Sequence, residues 1–192
     1  MTPDQSKLLN ALGLIAIDTV LVLAFADQLW FRELPCPLCI LSRAGFIAAG
    51  FGIALNLLFG SRPSHYGLTL LGASIGAAIS IRQILLHIVP DTGSYGSPIF
   101  GLHLYTWALM FFGLMVVGTG IMLLFERQFT TQTRVEKPSL LSVVALATFF
   151  ALAAGNVIST LSICGVGLCP PNPSGYLIFN DNLSVTSLGH PS

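Results

Sequence analysis

The stretch ELPCPLCILSR, residues 33–43, poses the question that decides the fold and function of this chain. Cys36 and Cys39 lie three positions apart, and Cys36 has a proline on either side. A long apolar run begins directly after the second cysteine. A C-x-x-C pair occurs in metal sites, in redox-active dithiols and in structural crosslinks. The surroundings of the motif must therefore decide between these three interpretations.

The composition indicates a membrane protein. Of the 192 residues, 54% are hydrophobic and 8% are charged, and the mean hydropathy is +0.81. Soluble domains carry about 25% charged residues. Eight basic and eight acidic side chains are too few to cover a soluble protein of this size, so we expect the lipid bilayer to be part of its solvent. The formal net charge of zero argues against nucleic acid as a partner.

Five apolar segments are long enough to span a bilayer, which takes about 20 residues per helix. They lie at about 8–29, 39–59, 66–89, 104–125 and 140–161. We predict an all-α integral membrane protein with a four-helix transmembrane bundle, a fifth transmembrane helix and an extramembrane C-terminal tail. Residues 1–161 would form the transmembrane domain, and residues 162–192, which are broken by Pro, Asn and Ser, would form the tail. Gly72-x-x-x-Gly76 predicts close helix packing.

The distribution of Lys and Arg predicts the orientation, because cytoplasmic connections are enriched in these residues. The N-terminus, the 60–66 turn and the 126–139 loop hold Lys7, Arg62, Arg127, Arg134 and Lys137, whereas the other connections and the tail hold only Arg32. We therefore expect the N-terminus inside and the tail outside. The pairs Cys36/Cys39 and Cys164/Cys169 then share the non-cytosolic face, where disulfides form.

The position of Cys39 favours a redox dithiol. It lies at the start of the second predicted helix, where free backbone N–H groups and the positive end of the helix dipole stabilise a thiolate. Arg43 follows one turn later on the same helix face. One alternative is a structural disulfide beside an ordinary interfacial arginine. The other is a four-cysteine site for zinc or iron. Two observations argue against it: the second pair lies in a different segment, and no histidine pattern accompanies the first pair. We predict no metal site.

The second pair, Cys164 and Cys169, directly follows the fifth predicted helix. Gly165 and Gly167 make the intervening loop flexible enough to close a small ring. We favour an exchangeable disulfide that meets the first pair. An inert crosslink that holds the tail is the alternative.

Polar residues inside the predicted helices also need an explanation, because intramembrane charge is costly and is usually functional. They are Arg43, Arg82, Gln83 and His87, with His103 at the start of the fourth helix. Together they would line a pocket beneath the cysteines that suits an apolar molecule with two carbonyl oxygens, such as a quinone. The alternatives are a pairing of Arg82 with Asp18 or with backbone carbonyls, and interfacial hydrogen bonds of the two histidines.

Three stretches of the sequence resemble the disulfide-bond formation protein B (DsbB) family. They are CPLCILSRAGF (36–46), IRQILLHIVP (81–90) and YGSPIFGLHLYTWALM (95–110). The resemblance covers roughly residues 8–125. It implies a bacterial inner-membrane enzyme that passes electrons from a periplasmic thioredoxin-fold, DsbA-like protein to ubiquinone or menaquinone.

The resemblance also implies roles for individual residues. Cys39 would be the quinone-proximal cysteine, Arg43 would polarise the quinone, and Cys36 would exchange with the second pair. Better-known members carry that second pair between the third and fourth helices, but residues 90–103 contain no cysteine here. Cys164/Cys169 instead resembles a DsbB-like subgroup whose second pair lies in a C-terminal tail.

The predicted site therefore consists of two sets of residues. Cys36, Cys39, Cys164 and Cys169 are the predicted catalytic residues, and Arg43, Arg82, His87 and His103 are the predicted cofactor-binding residues. Other functions remain open at this point: a membrane protein that binds metal through four cysteines, a non-enzymatic membrane scaffold braced by disulfides, and an oxidoreductase in which electrons flow outward.

Overall fold

The computed structural model describes residues 2–30, 35–88, 100–129, 139–165 and 169. Its long helices are α1 (Pro3–Trp30), α2 (Pro37–Phe59), α3 (Pro63–Leu86), α4 (Leu104–Leu123) and α5 (Leu140–Cys164), and a short 3₁₀ helix (Glu126–Phe129) follows α4. All five long helices are apolar enough to cross a membrane. The predicted all-α, multi-pass membrane fold is confirmed.

The helix ends differ from the predicted ones for local reasons. α2 and α3 each begin at a proline, Pro37 and Pro63, and not after it. Proline suits the first helical position, because its φ angle is already helical and its missing N–H would have no partner there. α5 continues beyond residue 161 to Cys164. The next residue, Gly165, caps the helix, and its φ of 62° lies in the left-handed region that favours glycine.

Helices α2 and α3 approach each other closely along a row of glycines, which we call the α2–α3 glycine seam (Gly45, Gly72 and Gly76). A Cβ atom built on Gly45 would lie 2.8 Å from the Cα of Gly76. One built on Gly72 would lie 2.5 Å from the backbone nitrogen of Ala49. Small residues allow such backbone contact between membrane helices. The seam therefore fixes the register of α3 along α2.

The other helices pack around this pair. α1 packs on α2, α4 packs on α3, and Phe46 of α2 stacks on Phe112 of α4 with 4.0 Å between ring centroids. α5 packs on α1 and α2, where the ring of Phe149 lies against Gly50. The fifth helix thus adds to the bundle on the side of α1 and α2.

Buried polar side chains join the helices at the end opposite to Cys36. Ser6 donates a hydrogen bond to the amide oxygen of Gln128 (2.7 Å), and the Asn10 amide donates to the Tyr66 hydroxyl (2.8 Å). The Asn56 amide donates to the Asn10 side-chain oxygen at 3.2 Å. Because these buried groups have partners, they stabilise the bundle at this end.

The α2–α3 glycine seam predicts a position-specific effect of an added methyl group. Gly72→Ala should lower the free energy of unfolding by about 1–3 kcal/mol, because the methyl group would collide with the α2 backbone. Gly67→Ala on the same helix is the matched control, since nothing lies within 4 Å of its added Cβ. Unfolding by sodium dodecyl sulfate in detergent micelles measures both. Equal stability of the two variants would contradict the close backbone packing at the α2–α3 glycine seam.

Candidate active site

The first turn of α2 holds one cysteine pair. Cys36 is the N-cap residue, and its sulfur accepts a hydrogen bond from the backbone N–H of Cys39 at 3.2 Å. The two sulfurs form a disulfide. Ile40 continues the turn by donating its N–H to the carbonyl oxygen of Cys36 (3.1 Å). Cys39 therefore lies inside the first helical turn, where the helix dipole favours negative charge.

Gln83 of α3 contacts this disulfide directly. Its amide nitrogen donates to the sulfurs of Cys36 (3.4 Å) and Cys39 (3.3 Å), and its side chain is only 1% exposed. The sequence predicts that Gln83 lines a pocket beneath the cysteines, but it does not predict this direct contact. The sequence signal for a role of Gln83 is an amide side chain in an otherwise apolar helix segment. Which group this amide contacts depends on the α2–α3 register, which the glycine seam sets.

Arg43 is anchored to α1. Its guanidinium donates to the side-chain oxygen of Gln28 at 2.6 Å and to the carbonyl oxygen of Ala24 at 2.7 Å, and it lies 5.1 Å from the ring centroid of Phe25. The Gln28 amide also donates to the hydroxyl of Ser159 in α5 at 3.0 Å. Gln28 thus connects Arg43 to both α1 and α5, and sequence reasoning did not identify it.

Two histidines lie at the same end of the molecule, around Tyr105. The rings of His87 and His103 stack on the Tyr105 ring with centroid distances of 5.5 and 5.2 Å. His87 donates through Nδ1 to the carbonyl oxygen of Gln83 (2.7 Å), which links this stack to the disulfide contact. Nδ1 of His103 is buried and has no hydrogen-bond partner among the described residues.

Arg82 lies on the exposed face of α3. Its suggested pairing with Asp18 is absent. Asp18 is buried in α1, and neither of its carboxyl oxygens has a hydrogen-bond partner in the part of the chain that the structure describes.

The second cysteine pair lies beside the first. Cys164 is the last residue of α5 and forms a disulfide with Cys169. Cys164 and Ile163 form a small buried cluster with Ile40, and Cys169 packs against it. Because Ile40 directly follows Cys39, the second pair packs at the start of α2, the helix end that carries the first pair. The rest of the predicted tail, residues 170–192, and residues 89–99 of the predicted outer loop lie outside the described residues.

The cysteine chemistry differs from that of a metal centre. All four cysteines are disulfide-bonded, whereas a thiolate is the form that binds metal. Within residues 2–30, 35–88, 100–129, 139–165 and 169, no cluster of three or more His, Cys, Asp or Glu side chains is suited to hold a metal ion.

Five candidate membrane helices with two adjacent disulfides at one end define a class: multi-pass membrane proteins with a thiol–disulfide centre. Comparison with known proteins agrees. The family model for Disulfide bond formation protein DsbB matches residues 6–95. Disulfide bond formation protein B of Xanthomonas euvesicatoria pv. vesicatoria (strain 85-10) is 32% identical over 116 residues, which cover 57% of this chain and 67% of that protein.

The proteins of the same name from Xanthomonas axonopodis pv. citri (strain 306) and Xanthomonas oryzae pv. oryzae (strain MAFF 311018) are 32% and 31% identical over the same length and shares. No solved structure matches the chain significantly. The chain belongs to the DsbB family, a family of disulfide-forming oxidoreductases.

The Gln83 contact predicts a change in the reactivity of Cys39. In protein with a reduced first pair, Gln83→Leu should slow the labelling of Cys39 by iodoacetamide about five- to tenfold, because a thiolate loses a hydrogen bond worth about 1–1.5 kcal/mol. Mass spectrometry at neutral pH gives the labelling rate.

Ser80→Ala is the control for this substitution. Its hydroxyl is buried one turn away on α3 and has no hydrogen-bond partner among the described residues, so the labelling rate should stay unchanged. An unchanged rate in Gln83→Leu as well would show that the amide does not stabilise the thiolate.

Proposed function

We propose that this protein is a quinone-dependent protein-dithiol oxidoreductase of the bacterial inner membrane. It reoxidises a periplasmic thioredoxin-fold, DsbA-like protein and passes the electrons through Cys164/Cys169 and then Cys36/Cys39 to ubiquinone or menaquinone. Residues 1–161 form the transmembrane domain, and residues 162–192 form a periplasmic tail. The distribution of Lys and Arg supports a cytoplasmic N-terminus.

The packing of the tail pair against Ile40, the residue that follows Cys39, carries this proposal. A relay by thiol–disulfide exchange needs two pairs that come within bonding distance of each other without a large rearrangement. The packing of Cys164 and Cys169 around Ile40, next to Cys39, supports such an encounter.

The surroundings of Cys39 support its role as the electron-donating thiolate. Each exchange step requires a thiolate. In the reduced pair, the positive end of α2 and the Gln83 amide would stabilise negative charge on this sulfur. Arg43 adds a positive charge one turn further along α2 and is held there by Gln28.

The residues near this pair fit a quinone. A carbonyl oxygen needs a donor, and the buried Nδ1 of His103 is unpartnered among the described residues. The stacked rings of His87, Tyr105 and His103 suit a flat aromatic ligand. A bound quinone would supply the two-electron acceptor for the Cys36/Cys39 dithiol. We propose Arg43, Arg82, His87 and His103 as its contacts, with Arg82 proposed from the sequence alone.

Quinone reduction by a reduced DsbA-like protein tests this function. In nanodiscs that contain quinone, Cys39→Ser and Cys164→Ser should each lower turnover to the background rate, because each substitution breaks the relay. The loss of quinone absorbance measures turnover. Ser42→Ala is the control and should keep turnover, since this buried hydroxyl lies one turn from Cys39 and has no hydrogen-bond partner among the described residues.

Two outcomes would contradict parts of the proposal. Full turnover by Cys39→Ser would show that the first pair takes no part in the reaction. Full turnover by Cys164→Ser alone would show that the tail pair is a structural crosslink and that the partner reacts directly with Cys36/Cys39.

A further inference from the structure

We propose that Gln28 of α1 is a positioning residue for Arg43, and that Ser159 of α5 acts on the same charge through Gln28. This inference rests on the proposed function, in which Arg43 contacts the quinone. It adds a reason why the guanidinium is held in one place, and it gives the fifth helix a part in the quinone site. Two features carry it: the contacts of one turn of α1 with Arg43, and the two-sided hydrogen bonding of the Gln28 amide.

Arg43 is a charged group enclosed by α1. It is 8% exposed, although it lies in a helix that is apolar enough to cross a membrane. Its Nη2 donates to the Ala24 carbonyl oxygen at 2.7 Å, and its guanidinium lies over the Phe25 ring. Gln28 adds a third contact through its amide oxygen, 2.6 Å from Nη1. Three contacts from one turn of α1 define the direction of a long side chain that would otherwise populate many rotamers.

The Gln28 amide is itself oriented by two partners. Gln28 is 4% exposed, and its nitrogen donates to the Ser159 hydroxyl at 3.0 Å. The same hydroxyl donates to the amide oxygen at 3.4 Å. Because a guanidinium carries donors only, the amide oxygen must face Arg43 and the amide nitrogen must face α5. Ser159 therefore holds the end of the amide that Arg43 does not use.

An amide suits this position because it is neutral. A carboxylate at position 28 would also accept a hydrogen bond from the guanidinium, but its negative charge would weaken the attraction of Arg43 for a carbonyl oxygen. Asp27, the neighbouring residue on α1, already interacts electrostatically with Arg43. Gln28 thus orients the guanidinium without adding a second carboxyl group beside it.

The contact with α5 lies in the same turn of α1. The Phe25 ring is 3.7 Å from a Cβ atom built on Gly155, which lies one helical turn before Ser159. Phe25 and Gln28 therefore each contact Arg43 on one side and α5 on the other. Since α5 packs on α1 along this segment, its placement affects the placement of Arg43.

Quinone binding to the oxidised protein tests the inference without turnover. Decylubiquinone or menadione is added to the oxidised full-length protein in detergent, and quenching of tryptophan fluorescence gives the dissociation constant. Gln28→Leu should raise this constant about tenfold, because the guanidinium loses the hydrogen bond that orients it. Ser159→Ala should raise it about threefold, because Gln28 loses one partner but keeps its bond to Arg43.

Ser162→Ala is the matched control on α5. Its hydroxyl donates to the carbonyl oxygen of Ile158 in the same helix at 2.8 Å, so the dissociation constant should stay unchanged. Equal effects of Ser159→Ala and Ser162→Ala would show that α5 does not act on Arg43 through Gln28. If Gln28→Leu fails to fold, the comparison of these two serine variants decides.

A double-variant cycle separates positioning from a general effect on the fold. If Gln28 acts through Arg43, the Gln28→Leu/Arg43→Leu double variant should bind quinone as weakly as Arg43→Leu alone. A further tenfold loss in the double variant would show that Gln28 acts independently of Arg43, and it would overturn the inference. An unchanged dissociation constant in Gln28→Leu would overturn it as well.

These measurements also separate the positioning role from the proposed function. If Arg43→Leu weakens binding and Gln28→Leu does not, the quinone contact of Arg43 stands and only the role of Gln28 is wrong. If Arg43→Leu binds as tightly as the natural sequence, Arg43 is not a quinone contact. If the natural sequence binds neither quinone, the proposed function is wrong, and this inference is wrong with it.

Discussion

The close approach of α2 and α3 is the constraint on which the site depends. At Gly45 and Gly72 the facing backbone leaves no room for a side chain, so α3 has one register along α2. That register brings the Gln83 amide to the sulfurs of Cys36 and Cys39. The same packing leaves the first turn of α2 at the end of the bundle. A slip of one helical turn would remove the amide from the disulfide.

Helix ends explain why the cysteines are where they are. A sulfur in the first turn of a helix gains from the dipole, and one in the last turn loses. The chain places one pair at each kind of end, and Ile40 at the start of α2 packs with the second pair. Gln28 of α1 is a further link between these two helices, because it contacts both Arg43 of α2 and Ser159 of α5. The helix that carries the second pair is thereby joined to the charge beside the first.

Hydropathy and proline chemistry account for most of the fold that the sequence predicts. All five helices follow from apolar length, and Pro37 and Pro63 mark helix starts once proline is allowed in the first position. The side-chain partners do not follow from such patterns. Gln83 and Arg43 are visible as polar residues in apolar segments, but their partners lie on other helices. Only the packing reveals that Gln83 reaches the sulfurs and that Arg43 bonds to Gln28.

The central claim is that electrons enter at the tail pair and pass from it to Cys36/Cys39, the pair that reduces the quinone. Its most direct test is a time course of thiol labelling in quinone-free protein mixed anaerobically with a reduced DsbA-like partner. Labelled Cys164 or Cys169 should appear first and then decay, while labelled Cys36 and Cys39 accumulate as the tail disulfide re-forms. Accumulation of the Cys36/Cys39 dithiol without any earlier tail thiol, or a tail dithiol that persists beside an intact Cys36–Cys39 disulfide, would contradict the account.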